Sequence, residues 1–108
     1  MFLQVATLYS IHSEAAADLF VSSIRLGGEW QQIARRVAMD LIGTDLLRHQ
    51  SSPTPLFLCI DFWRSREAYE RMRESPAYDL LFSLRNRMAQ SATELGVFTA
   101  ARSALELR

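Results

Sequence analysis

With 108 residues, 49% of them apolar and 22% charged, the chain is sized and composed for one soluble domain around a single core. Twelve acidic residues balance twelve basic ones, which removes the long-range attraction to nucleic acid or anionic lipid that a basic domain has. All twelve basic residues are arginine, so lysine Schiff-base chemistry is excluded within this chain. Cys59 is the only cysteine, so no intrachain disulfide can form, and with only His12 and His49 besides, an N/S-ligated zinc site is not expected. No apolar run approaches the ~20 residues that span a bilayer. The opening "MFLQVATLYSIHSE" does not read as a signal peptide, which makes the cytoplasm the expected location.

Residues 2–11 alternate as a strand, with Leu3, Val5, Thr7, Tyr9 and Ile11 on one face. Ser13 is a fitting N-cap, followed by Glu14 and Asp18 near the positive end of a helix. Phe20, Ile24, Gly27, Trp30, Ala34 and Val37 then recur at helical spacing. This predicts one long helix, kinked or briefly broken at Gly27-Gly28. "LIGTDLLRH" (41–49) reads as a second strand, "QSSPTP" (50–55) as a turn and Leu56–Trp63 as a third strand. Ser65 caps the next helix, and Ser75 with Pro76 marks a second helical start. Its apolar stripe of Ala77, Leu80, Leu84, Met88 and Ala92 predicts a helix running to Gly96, with a last strand at 97–102.

The order strand, helix, strand, strand, helix, strand predicts an α+β, ferredoxin-like domain over residues 1–108: a four-stranded antiparallel sheet with helices on one face. The free face of such a sheet is polar in a monomer. Here Leu56, Leu58, Ile60 and Phe62 alternate with Phe57, Cys59 and Trp63, and only Asp61 is polar. A second copy packed on the free face through a two-fold axis is therefore expected.

The stretch "IDFWRSREAYERMRESPAYDLL" resembles the antibiotic-biosynthesis monooxygenase family of dimeric α+β barrels. Trp63 at a strand end, Glu67-Ala68-Tyr69 in a short helix and Ser75-Pro76-Ala77-Tyr78 at a second helix start carry it. "GEWQQIARR", "LIGTDLLR" and "TELGVF" extend it along the chain. The resemblance implies a homodimer and a pocket between sheet and helices for a small aromatic, quinol- or polyketide-like molecule. In some members that pocket supports cofactor-independent monooxygenation, and in others haem breakdown. Met72 and Phe82 stand where haem-degrading relatives carry tryptophan and histidine, and Met72 and Ala77 where many quinol-type relatives carry histidines. Haem chemistry is accordingly not expected. A non-catalytic binding module and a structural dimer of the same fold are the alternatives.

Cofactor-free oxygenation needs a base, an apolar pocket and a donor for the developing oxyanion. Asp61 is the candidate base, Arg85 the anion stabiliser and Tyr78 a further catalytic hydroxyl, with Trp63, Tyr69, Phe82 and Trp30 as walls. Each has a plainer reading. Asp61 can instead pair with Arg64 or Arg85, and aromatics at helical spacing are more often core. Asp45 is a weaker second carboxylate. The arginines at 64, 66, 71 and 73 interleave with Glu67, Glu70 and Glu74 and read as a solvated helix face. Cofactor and metal sites, nucleic acid and membrane contacts are not expected.

Overall fold

The computed structural model describes residues 2–101. Its elements are β1 (Leu3–Ser10), α1 (Glu14–Ile24), α2 (Glu29–Val37), β2 (Leu41–Arg48), β3 (Leu56–Trp63), α3 (Arg66–Arg73), α4 (Pro76–Asn86) and β4 (Ser91–Thr99). The strands form one antiparallel sheet in the order β2-β3-β1-β4, with the helices on one face. This is the expected ferredoxin-like plan, with each of its two helical segments divided.

Serine hydroxyls start three of the four helices: Ser13 accepts from the Ala16 amide, Ser65 from Ala68 and Ser75 from Tyr78. The fourth start explains why α1 and α2 are separate. Gly27 has φ +83°, a left-handed conformation that ends α1's path. A Cβ on Gly28 would lie 2.3 Å from the Ser22 and Ser23 carbonyl oxygens, so only glycine fits this close approach. The helical stripe stays in phase through the pair, yet the backbone turns there, and the expected single helix becomes two.

The second departure lies at the other end of the chain. α4 stops at Asn86 and β4 begins at Ser91, so Ala92 belongs to a strand and not to the helical stripe. Pairing explains this: Ser91 to Thr99 match Ser10 to Leu3 along the whole of β1, and Gln90 N–H donates to the Ser10 carbonyl at 2.8 Å. A full ladder on an eight-residue strand outweighs the modest helix propensity of Ser-Ala-Thr. Arg102, the end of the expected last strand, lies outside the described residues.

The register sorts the two faces. Val5, Thr7 and Tyr9 of β1 and Phe57, Cys59, Asp61 and Trp63 of β3 face the helices and are buried. The opposite face carries Leu56, Leu58, Ile60 and Phe62, flanked by Leu8 and Leu47, with Phe98 beyond Gln4. In β2 an irregularity at Ile42 shifts the alternation, so Leu41, Thr44 and Leu46 lie opposite Trp63, Asp61 and Cys59. Thr44 thereby joins the helix-covered face, and Asp45, opposite Ile60, falls on the uncovered one.

Candidate functional site

Three adjacent strands and one helix bring the central group together. Asp61, near the C-terminal end of β3, projects under the helices, and Arg85 reaches it from the last turn of α4. The guanidinium grips the carboxylate end-on, Nη1 to Oδ1 and Nη2 to Oδ2, both at 2.8 Å. Each residue is only 1% exposed. Thr44 of β2 donates a third hydrogen bond to Asp61 Oδ1 at 2.7 Å. The remaining edge of the guanidinium, Nε, donates to the Tyr9 hydroxyl at 2.8 Å, and Tyr9 donates to Asn86 Oδ1. Such a pair repays its desolvation only through good geometry and further hydrogen bonds, and this one has both. Aromatic faces complete the cradle: the centre of the Arg85 guanidinium lies 4.7 Å from the Phe82 ring centroid and 4.8 Å from that of Trp30.

These surroundings set the protonation states. Burial works against the charge on Arg85, but Asp61 more than offsets it and holds the guanidinium above its ordinary value. Burial pushes the Tyr9 phenol up to about 12, against the opposing pull of Arg85. It pushes the Cys59 thiol up to about 12 as well, so Cys59 is no nucleophile at neutral pH. Tyr78 is raised by burial and by Tyr69 beside it, which keeps it a neutral hydrogen-bond donor.

Beside the ion pair lies a cavity of about 140 Å³, bounded by β1, β3, β4, α3 and α4. Asp61, Arg85, Trp63, Tyr69, Tyr78 and Phe82, six of the seven candidates from the sequence, all line it. Three aromatics form one continuous wall, with ring centroids 4.5 Å apart for Tyr78–Phe82 and 6.2 Å for Trp63–Phe82. Trp30, the seventh, lines a different cleft of about 210 Å³ beside β2, and its indole N–H donates to the Leu81 carbonyl at 2.8 Å. It backs the Arg85 cation from outside the cavity. Arg64, the other partner considered for Asp61, instead pairs with Asp40 near the surface at 3.2 Å.

Four residues of this constellation were not read from the sequence. Tyr9 and Asn86 contribute through contacts 77 residues apart, and Thr44 arrives only because of the irregularity at Ile42. Glu94 lines the same cavity from β4, opposite Thr7, in a segment read as helix. Among the described residues it makes no ion pair, unlike Asp61.

Among the described residues the buried Tyr69 hydroxyl meets no partner in good hydrogen-bonding geometry, although Tyr78 and Arg73 stand beside it. Burying an unsatisfied hydroxyl is unfavourable. Replacing Tyr69 with Phe is therefore expected to raise stability by about 1 kcal/mol, a melting shift of roughly 4–8 °C. A lower melting temperature for the variant would mean that the hydroxyl is bonded in solution.

No family model matches the sequence, and no curated protein matches it. Solved structures do. A variant of SnoaB, a cofactor-independent oxygenase from Streptomyces nogalater, is 18% identical, with 97% of this chain and 98% of that chain covered and a TM-score of 0.61. An ethyl tert-butyl ether (EthD) family protein from Bacillus halodurans is 12% identical over 93% of this chain and 99% of that one, with a TM-score of 0.66. An antibiotic biosynthesis monooxygenase is 19% identical over 93% and 99%, with a TM-score of 0.57. The resemblance carried by Trp63, Tyr69 and Ser75-Pro76 thus has its counterpart in three dimensions: the chain has the fold of these oxygenase structures.

Proposed function

We propose that the chain forms a homodimer through its uncovered sheet face. Its cavity binds a small aromatic, quinol- or polyketide-like molecule, and the protein acts on it as a cofactor-independent monooxygenase. The observation that carries this reading is the joint presence, in one aromatic-walled cavity, of a buried fixed cation and a carboxylate outside any ion pair, Arg85 and Glu94. A space of about 140 Å³ suits one aromatic ring, much as an engineered apolar cavity of ~150 Å³ takes benzene. Larger substrates extend through the open side.

The geometry supports the following roles. Asp61 holds Arg85 in place, and taking a substrate proton would strip that cation of its counter-charge. We therefore assign proton abstraction to Glu94 and the positioning of Arg85 to Asp61. Arg85 spends three of its five N–H donors on Asp61 and Tyr9, and with Tyr78 it steadies the anion formed on the substrate. Glu94 removes a proton from a ring CH₂ activated by a neighbouring carbonyl. The carbanion's electrons reduce O₂, a C–O bond forms and the hydroperoxide loses water. One CH₂ and one O₂ give one carbonyl and one water. The oxygenase fold of SnoaB supports this reading, as does a neighbour from Jannaschia, a dimeric ferredoxin-like protein.

The test is oxygen consumption by metal-free protein across quinols, anthrones and related phenols, with haem as a separate control. Uptake that saturates with substrate and falls at least tenfold in a Glu94→Gln variant is the expected result. Saturable binding with no uptake would make the protein a binding module.

A further inference from the structure

The polar chain that begins at Asp61 continues past Arg85, and each link has a fixed direction. Arginine only donates, so Arg85 Nε gives its hydrogen to the Tyr9 oxygen. The single phenol hydrogen then goes to Asn86 Oδ1 at 2.5 Å. An amide that turns its oxygen towards Tyr9 keeps its NH₂ group, with two donors, free for another acceptor. Tyr9 is fully buried and stays protonated at physiological pH, so this orientation does not relax. Asn86 closes α4, is exposed, and lines the cavity whose interior Tyr9 and Arg85 also line. Its oxygen is committed to Tyr9, and among the described residues its NH₂ donates to no partner.

We infer that Asn86 is a ligand-contacting, specificity-determining residue whose NH₂ group donates to an acceptor oxygen, ketone or phenolate, of the cavity's occupant. This rests on the ligand-binding reading of the cavity but not on turnover. It selects oxygenated rings over plain hydrocarbons of the same shape, because a ring without that oxygen leaves the donor unmatched. Asn86→Asp isolates the donor. The carboxylate still accepts the Tyr9 hydrogen, while the NH₂ is lost and a negative charge takes its place. Asn86→Ala removes the donor without adding charge, at the cost of the acceptor for the Tyr9 hydrogen, so the two variants control for each other.

The experiment is calorimetric titration of wild type and both variants with acetophenone and with isopropylbenzene, which match in shape and differ in one acceptor oxygen. Wild type is expected to bind both. Asn86→Asp and Asn86→Ala should weaken acetophenone about tenfold, or ~1.4 kcal/mol, and isopropylbenzene less than about twofold. Unchanged acetophenone binding in both variants would overturn the role of Asn86 while leaving the cavity reading intact. Failure of wild type to bind either probe would overturn the cavity reading, and this inference with it. If the Asp variant does not fold, the Ala variant decides alone.

Discussion

Replacing Asp61 with Asn is expected to lower the stability of the fold by about 3–5 kcal/mol, with a melting midpoint roughly 12 °C or more below wild type. The shape of the side chain is kept, so the loss is electrostatic. Arg85 is 1% exposed and cannot shed its proton, and Asn offers one acceptor oxygen where two carboxylate oxygens now neutralise it. Replacing both partners, Asp61→Leu with Arg85→Met, removes the buried charge altogether and should recover most of the loss. Urea denaturation of wild type and the two variants separates these cases. A cost below about 1 kcal/mol for Asp61→Asn would mean that water reaches the pair and screens it. The result also bears on function, because a variant that unfolds reports nothing about proton abstraction. Glu94 sits exposed on β4, so Glu94→Gln tests the proposed base without that confusion.

How much of this was legible in the sequence depended on range. The strand Leu56–Trp63 was read to the residue, because alternation, the Pro53 and Pro55 turn and the Ser65 cap are all local signals. Six of the seven candidate site residues share one cavity for a related reason. They lie on one strand and on α3 and α4, where period 2 and period 3.6 fix which side chains point the same way. The polar network resisted prediction because its links are long-range. Arg85 reaches back 76 residues to Tyr9, and Thr44 meets Asp61 only through a one-residue shift in β2 that flips its face. Glu94 was hidden by an apolar spacing through Met88 and Ala92 that continues the helix on paper. The decisive fact, the unpaired edge of β1, lies 81 to 96 residues away in sequence. The break at Gly27-Gly28 was visible as a glycine pair, but the 2.3 Å approach of Ser22 and Ser23 that forces it was not.

Placing glutamate at Leu58 and Ile60 together is expected to convert a homodimer into a monomer without unfolding the chain. Both residues lie on β3, flanked by β1 and β2, on the face that no helix covers. Leu8, Leu47 and Phe62 surround them, and Phe98 is 52% exposed on the same face. A patch of this kind on the free side of a sheet asks for a cover, and two copies related by a two-fold axis present it to each other. Each substitution then appears twice, setting four carboxylates together in a desolvated centre. Like-charge contacts of this kind cost several kcal/mol, so the dimer should weaken by about a hundredfold or more. In the isolated protomer the same glutamates point to water, away from the helices, and the melting temperature should change little. Leu80→Glu is the control: Leu80 is 61% exposed on α4, away from the sheet, and a charge there should leave the assembly intact. Sedimentation velocity across a micromolar dilution series reads all three. A dimer that survives the double glutamate would place its interface elsewhere on the molecule. A wild type that sediments as a monomer would leave this apolar face to a different partner, because its exposure still needs a cover.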